Sequence, residues 1–201
     1  MSVRIRMPEA REVRAELVFD SSALFPFAVA DRLDVLGDLV EGRTCVAPDA
    51  VFEEVRRAVA RDRGITGIAW PQWLGAVHVD GLDDLPHLIR WAGLLGSGVH
   101  HRGEATVIAY AQSHAAIAIV DDRHPRILAT QAGLMAHGSL WLMTRACLWG
   151  RTTPAAVGGL IDALIAAGAR YPCDGRTFPR WARDNGLPVG WIESVRRELA
   201  T

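Results

Sequence analysis

The 201-residue chain contains no lysine: all 22 of its basic residues are arginine. That absence removes every chemistry built on a side-chain amine. Phosphate cradling by a Gly-Lys-Ser/Thr loop, Schiff-base and pyridoxal catalysis, protein-kinase catalysis, and receiver or dehalogenase sites that need a lysine all drop out. Cysteine is scarce as well. Cys45, Cys147 and Cys173 form no CxxC and leave an odd count, which fits a reducing compartment and argues against a disulfide framework. No apolar run approaches 18 residues, and the opening MSVRIRMPEAREVR has no apolar signal core. The expectation is a soluble cytoplasmic protein with no membrane segment. Excess charge of either sign is also missing. A formal net charge of −1 gives no global positive field for nucleic acid and no acidic excess for disorder.

What is present is apolar surface. Half of the residues are hydrophobic, enough for a sizeable core in one ordinary domain plus an appendage. Residues 1–15 read as a charged extension, 16–150 as the domain, and 151–201 as a helical C-terminal extension packed on it. Leu17-Val18-Phe19 reads as a buried strand ending at Asp20, before a helical stretch that runs to about Val40 and bends at Pro26. Thr44–Ala47 reads as a strand, and Pro48 opens a helix over about 49–63. A strand is expected near 76–79 and a helix over 83–95. Gly103-Glu104 opens a further helix to about Ser113. The wholly apolar run 115–120 suits a strand covered on both faces, as in parallel sheets. Helices at about 124–133 and 139–149 flank a short strand at 134–137. Thr153-Pro154 and Gly168 bracket another helix, and a last one is expected at 189–199. Strands alternating with helices predict an α/β domain with a central, mainly parallel sheet.

Acids sit at informative places. Asp20 ends one apolar strand, and Asp121 and Asp122 end another. Open parallel sheets bind ligands at the carboxyl ends of their strands. At about 100° per residue, Glu54 falls at the edge of the stripe formed by Val51, Phe52, Val55 and Val59, while Glu53 faces water. Glu104 starts the stripe that continues through Ile108, Ala111 and Ala115. A charged carboxylate on an apolar face is costly unless it is paired or metal-bound. Each acid has an ordinary alternative: a helix cap for Asp20 or Asp122, a surface acid for Glu54, an arginine partner for Glu104. Taken together they would repel one another, and a divalent cation is the simplest compensation. Oxygen-only ligands select Mg2+ or Mn2+ over Zn2+.

These residues carry a resemblance to PIN-domain ribonucleases. LVFDSSAL resembles the family's first strand with its metal Asp and following hydroxyl residue. VAPDAVFEEV is similar to its second strand and acid-bearing helix. The segment RGEATVIAYAQSHAAIAIVDDRHPRILATQAGLMAHGSLWLM resembles the branch with a Gly-Glu-Ala helix, an Asp-Asp-x-x-x-Arg segment and a Gly-Thr/Ser-Leu segment, which includes toxin halves of VapBC-type pairs. The resemblance implies a three-layer α/β/α sandwich and Mg2+- or Mn2+-dependent endoribonuclease activity. It implies metal-site and catalytic roles for Asp20, Glu54 and Glu104, with Asp122 or Asp121 as the fourth acid and Asp122 slightly preferred. Ser22 then holds a metal-bound water or ligand, Ser139 matches a second small hydroxyl, and Arg126 serves helix–sheet packing or phosphate contact. Arg56 and Arg57, beside Glu54, are candidates to guide an RNA backbone, against a solvated helix face. Trp91 and Trp141 are candidates for stacking on bases, against core packing. His100-His101 precede the Gly-Glu helix and could reach the cleft. The partners implied are RNA, a cognate antitoxin protein and a second copy in a homodimer. A non-catalytic PIN-fold binding module and another metal-dependent phosphohydrolase are the competing expectations.

Overall fold

The computed structural model describes residues 15–64, 67–96 and 102–187. Five parallel strands form one sheet in the order β3-β2-β1-β4-β5: β1 (Leu17–Phe19), β2 (Cys45–Pro48), β3 (Leu74–Val77), β4 (Ile117–Ile119) and β5 (Ala136–His137). Strands β1, β2 and β4 are buried along their whole length, so the sheet needs cover on both faces. The cover comes from α1 (Ser21–Val29), α2 (Leu33–Leu39), α3 (Asp49–Arg63), α4 (Leu85–Leu95), α5 (Arg102–His114), α6 (Arg123–Gln131), α7 (Ser139–Leu148), α8 (Pro154–Ala166) and α9 (Phe178–Asp184). Helices α1, α3, α4 and α5 pack on one another as one group, and α2, α7, α8 and α9 as a second. The result is the expected three-layer α/β/α sandwich around a sheet that is parallel throughout.

The chain winds outward from β1 in both directions, through β2 and β3 on one side and β4 and β5 on the other. The order therefore reverses between β1 and β4, where open α/β sheets place ligands beyond the strands' carboxyl ends. Register is tight there: Phe19 lies beside Ile119, and the Asp20 amide donates to the Ile119 carbonyl at 2.9 Å. Asp20 and Asp121 consequently leave the sheet side by side.

Several boundaries differ from the sequence reading, each for a local reason. The stretch from 21 to 40 is two helices rather than one bent helix. Pro26 sits inside α1, and the break comes later, at Asp31, which takes a left-handed φ of 54°. Strand β2 runs one residue later than the expected 44–47 and ends at Pro48, while the helix starts at Asp49 as expected. The apolar run after α5 yields only three strand residues. Ala115, with φ 52°, and Ala116 are used in turning from helix to strand. Strand β3 begins two residues early because its register against β2 pairs Cys45 with Leu74 and Pro48 with Val77. The C-terminal extension docks on the domain: α8 packs on α7, and Gly158 and Gly175 bring their backbones together. The helix expected at 189–199, residues 1–14 of the expected 1–15 extension and the His100-His101 pair lie outside the described residues. Among the described residues no helix is long and apolar enough to cross a membrane.

Candidate metal centre

Asp20 stands between the end of β1 and the start of α1 and is fully buried. Its extended backbone (φ −90°, ψ 160°) is the conformation of a helix N-cap, and it caps α1 through one oxygen. Oδ2 accepts from the Ser22 amide at 2.9 Å and from the Ser22 hydroxyl at 2.5 Å. Oδ1 is buried and accepts no hydrogen bond among the described residues. The capping alternative holds for Oδ2, and it leaves Oδ1 uncommitted. Burial pushes the Asp20 carboxyl up to about 7; the Ser22 hydrogen bonds oppose the rise, and the charges of Glu104 and Glu54 add to it.

Glu54 and Glu104 reach Asp20 from two helices. Helix α3 follows β2 and α5 precedes β4, so both start at the carboxyl edge of the sheet. Glu54 is half-buried and Glu53 is exposed, as the helical phase predicts. Glu104 is buried in the first turn of α5, with the Ala105, Ile108 and Ala111 stripe behind it. Gly103 is what permits the approach. A Cβ built there would stand 2.6 Å from Glu54 Oε2 and 3.8 Å from Asp20 Oδ1. Two carboxylate oxygens from chain-distant elements therefore lie within two metal–ligand lengths of one point.

The second acid position repeats the Asp–Ser device. Asp121 Oδ1 accepts from the Ser139 amide and Oδ2 from the Ser139 hydroxyl, both at 2.7 Å. Burial raises the Asp121 carboxyl, against these two bonds and the nearby Arg126 charge. Ser22 joins the two acids: its hydroxyl donates to Asp20 and accepts from the Asp121 amide at 3.0 Å. Asp122 is exposed at the N-cap of α6 and makes no side-chain cap bond. Of the adjacent pair, the hydrogen bonds bring Asp121 to Asp20.

The donor set is all oxygen, as Mg2+ or Mn2+ requires. The fit rests on the orphaned Asp20 oxygen and on the gap that a Gly103 side chain would fill. Among the described residues, no three His, Cys, Asp or Glu side chains are gathered closely enough to hold an ion as they stand. The arrangement is a close pair, Asp20 and Glu54, with Glu104 and Asp121 beside it.

The remaining sequence candidates are placed as follows. Arg126 serves packing: its Nη1 donates to the Val120 and Asp121 carbonyls at 2.7 and 2.9 Å, tying α6 to the end of β4. Arg56 is held in an ion pair by Glu53, and Arg57 Nε donates to the Glu53 carbonyl. Both arginines are thus tethered on the solvent side of α3. Trp91 is fully buried, its indole N–H bonded to Gln112 at 2.8 Å; it is a core residue. Trp141 is buried and stacks on His137, with ring centroids 4.0 Å apart. Gly103, Gly138, His137 and Tyr171 were not singled out from sequence. A Cβ at Gly138 would meet Asp121 Oδ1 at 2.8 Å, and the Tyr171 hydroxyl lies 3.2 Å from Ser139 Oγ. The available signal was a glycine directly before each site residue, in Gly103-Glu104 and Gly138-Ser139.

No curated protein and no solved structure gives a match to the chain. A family model described as DUF3368, a PIN domain, matches residues 16–175. The match spans every residue placed in the site, and it extends from β1 to the segment before α9. PIN domains are generally metal-dependent nucleases, and the acids at the β1/β4 reversal are where such chemistry would sit on this fold. The chain belongs to the PIN-domain family.

Proposed function

We propose that this protein is a Mg2+- or Mn2+-dependent endoribonuclease and the toxin component of a toxin–antitoxin pair. The observation that carries the reading is the buried, unpartnered Oδ1 of Asp20 sharing one point with Glu54 Oε2 above Gly103. When bound, a divalent ion supplies Lewis-acid polarisation of a water and a phosphate oxygen. Asp20 and Glu54 hold it, Glu104 adds charge from α5, and Asp121 is the fourth acid in preference to Asp122. Asp20 must lose its proton to serve, which couples binding to pH near 7. Ser22 fixes the Asp20 carboxylate and the Asp121 backbone together, and Ser139 fixes the Asp121 carboxylate. Nothing in this scheme needs a nucleophilic side chain or a lysine.

The partners this reading expects are an RNA substrate, an antitoxin that covers the acidic cleft, and a second copy of the chain. Leu82, Ile89 and Leu94 are exposed on and beside α4 and support a protein contact there. Cleavage of RNA by the wild type in Mn2+, set beside Asp20→Asn, tests the enzyme. Undiminished cleavage by the variant would remove the assignment. One observation favours a second reading, a non-catalytic binding module: no three acids stand closely gathered among the described residues. Calorimetry with Mn2+ separates the two, since a module of that kind takes up no ion.

A further inference from the structure

A cavity that Asp121 helps to line includes none of Asp20, Glu54 and Glu104. It has a volume of about 450 Å3, in the range of small-ligand sites. Its walls come from two parts of the chain. Arg126 on α6 and His137 and Trp141 around β5 and α7 belong to the sheet layers. Arg170, Tyr171 and Trp181 belong to the segment after α8.

The chemistry of those walls is mixed in a specific way. The His137 ring lies flat on Trp141, with an interplanar angle of 7°, and the two make an aromatic wall. Neither ring nitrogen of His137 has a hydrogen-bond partner among the described residues. Burial and the charges of Arg145 and Arg126 push His137 down to about 4, so its ring is neutral and offers one donor and one acceptor. Trp181 is half-buried along the wall, and Arg170 is exposed at the rim. The floor is continuous with the acids, because Tyr171 touches Ser139 and Ser139 holds Asp121. Flat aromatic walls, a neutral donor–acceptor pair and an arginine at the mouth match an unpaired nucleobase with its own phosphate.

We propose that this cavity is a nucleobase subsite: it takes one unstacked base of the RNA strand next to the phosphate held at the acids, with Arg170 on that nucleotide's phosphate. Its place beside the scissile position rests on the endoribonuclease reading. Binding of the base does not. The C-terminal segment then has a task beyond packing, since it supplies six of the sixteen residues that line the cavity. The subsite also gives the protein a means of choosing where it cuts.

The test uses the full chain in metal-free buffer, so that binding is read without catalysis. Nucleoside 5′-monophosphates of the four bases are titrated by calorimetry and by amide shifts in NMR. At least one base is expected to bind with shifts at 137–141 and 170–181, and to bind at least fivefold more weakly to Arg170→Gln and to Trp181→Leu. Arg170 is exposed, so its substitution leaves folding intact even where the Trp181 variant does not fold. Equal binding by wild type and Arg170→Gln would overturn the proposal. So would inorganic phosphate matching every nucleotide, because a phosphate site alone then explains the cavity. If nucleotide binds as expected but RNA is not cut in Mn2+, the nuclease reading fails and the subsite stands. If RNA is cut but no nucleotide binds, the subsite fails alone.

Discussion

Replacing Asp20 by Asn exchanges a buried titrating group for a neutral one of the same shape. Folding raises the Asp20 carboxyl from 3.8 to about 7, chiefly by burial. Between those values the native chain holds a proton that the unfolded chain has released. Stability therefore falls as pH rises through this window, by up to about 1.4 kcal/mol per pH unit, and the loss is complete above pH 7. A shift of some three units corresponds to about 4 kcal/mol. The Asn variant keeps an oxygen for the Ser22 donors and turns an amide toward Glu54 and Glu104. It should match the wild type near pH 4 and exceed it by up to about 4 kcal/mol at pH 8. His137 works in the opposite direction. Its depressed value means that stability is lost as pH falls from about 6.5 to 4, but both proteins share this and it cancels in the difference. Urea denaturation in EDTA at four pH values measures the difference directly. Added Mn2+ should then stabilise the wild type by mass action and leave the variant unmoved. A wild-type-minus-variant difference that stays flat from pH 4 to 8 would refute the electrostatic argument.

Three further outcomes follow from named contacts. Gly103→Ala places a Cβ 2.6 Å from Glu54 Oε2, so Mn2+ affinity should drop at least tenfold by calorimetry. The thermal midpoint should hold or rise slightly, because Ala in place of Gly favours a helix by about 1 kcal/mol. Trp91→Ala empties a fully buried site and removes the bond to Gln112. It should cost about 3–5 kcal/mol in urea denaturation while the Mn2+ affinity of the folded fraction stays at the wild-type value. Burial pushes the Cys45 thiol up to about 12 and the Cys147 and Cys173 thiols up to about 11. At pH 8 all three should resist a disulfide reagent in the native protein and react at once in urea.

The parts of the structure written in short-range chemistry could be read from the sequence. The helix at 49–63 is recovered to the residue, because its polar and apolar faces alternate cleanly and Gly64 ends it in the left-handed region at φ 68°. The buried positions of Asp20 and Glu104, and the contrast between Glu53 and Glu54, followed from where apolar runs stop and from helical phase. What could not be read depends on register across the sheet. Asp121 and Asp122 are neighbours with the same side chain; only the Ser22 and Ser139 hydrogen bonds, 99 and 18 residues away, tell them apart. The break at Asp31 was hidden behind Pro26, which α1 tolerates near its middle. The cavity beside Asp121 was illegible because its walls come from two separate segments, one ending at Trp141 and the other starting at Arg170, that meet only when α8 docks on α7.

The same motif is used at both acids, and the way it differs separates their roles. Each aspartate leaves a strand at the reversal of the sheet, and each takes an amide and a hydroxyl from a serine in the first turn of a helix. Asp20 spends one oxygen on both donors, which leaves Oδ1 buried and bare beside Glu54. Asp121 spends one oxygen on each donor, so both are already committed to α7. A bare buried carboxylate oxygen costs free energy that a cation would recover, whereas a doubly bonded one is already compensated. In the proposed metal site this asymmetry makes Asp20 the principal ligand, with Asp121, the fourth acid, also locking α7 against the end of β4. It also ties the candidate metal centre to the neighbouring cavity, because Ser139, which fixes Asp121, is the residue that Tyr171 touches from the far side. Substrate held in the cavity and an ion held by Asp20 would then bear on one another through a short chain of hydrogen bonds running from Tyr171 through Ser139, Asp121 and Ser22.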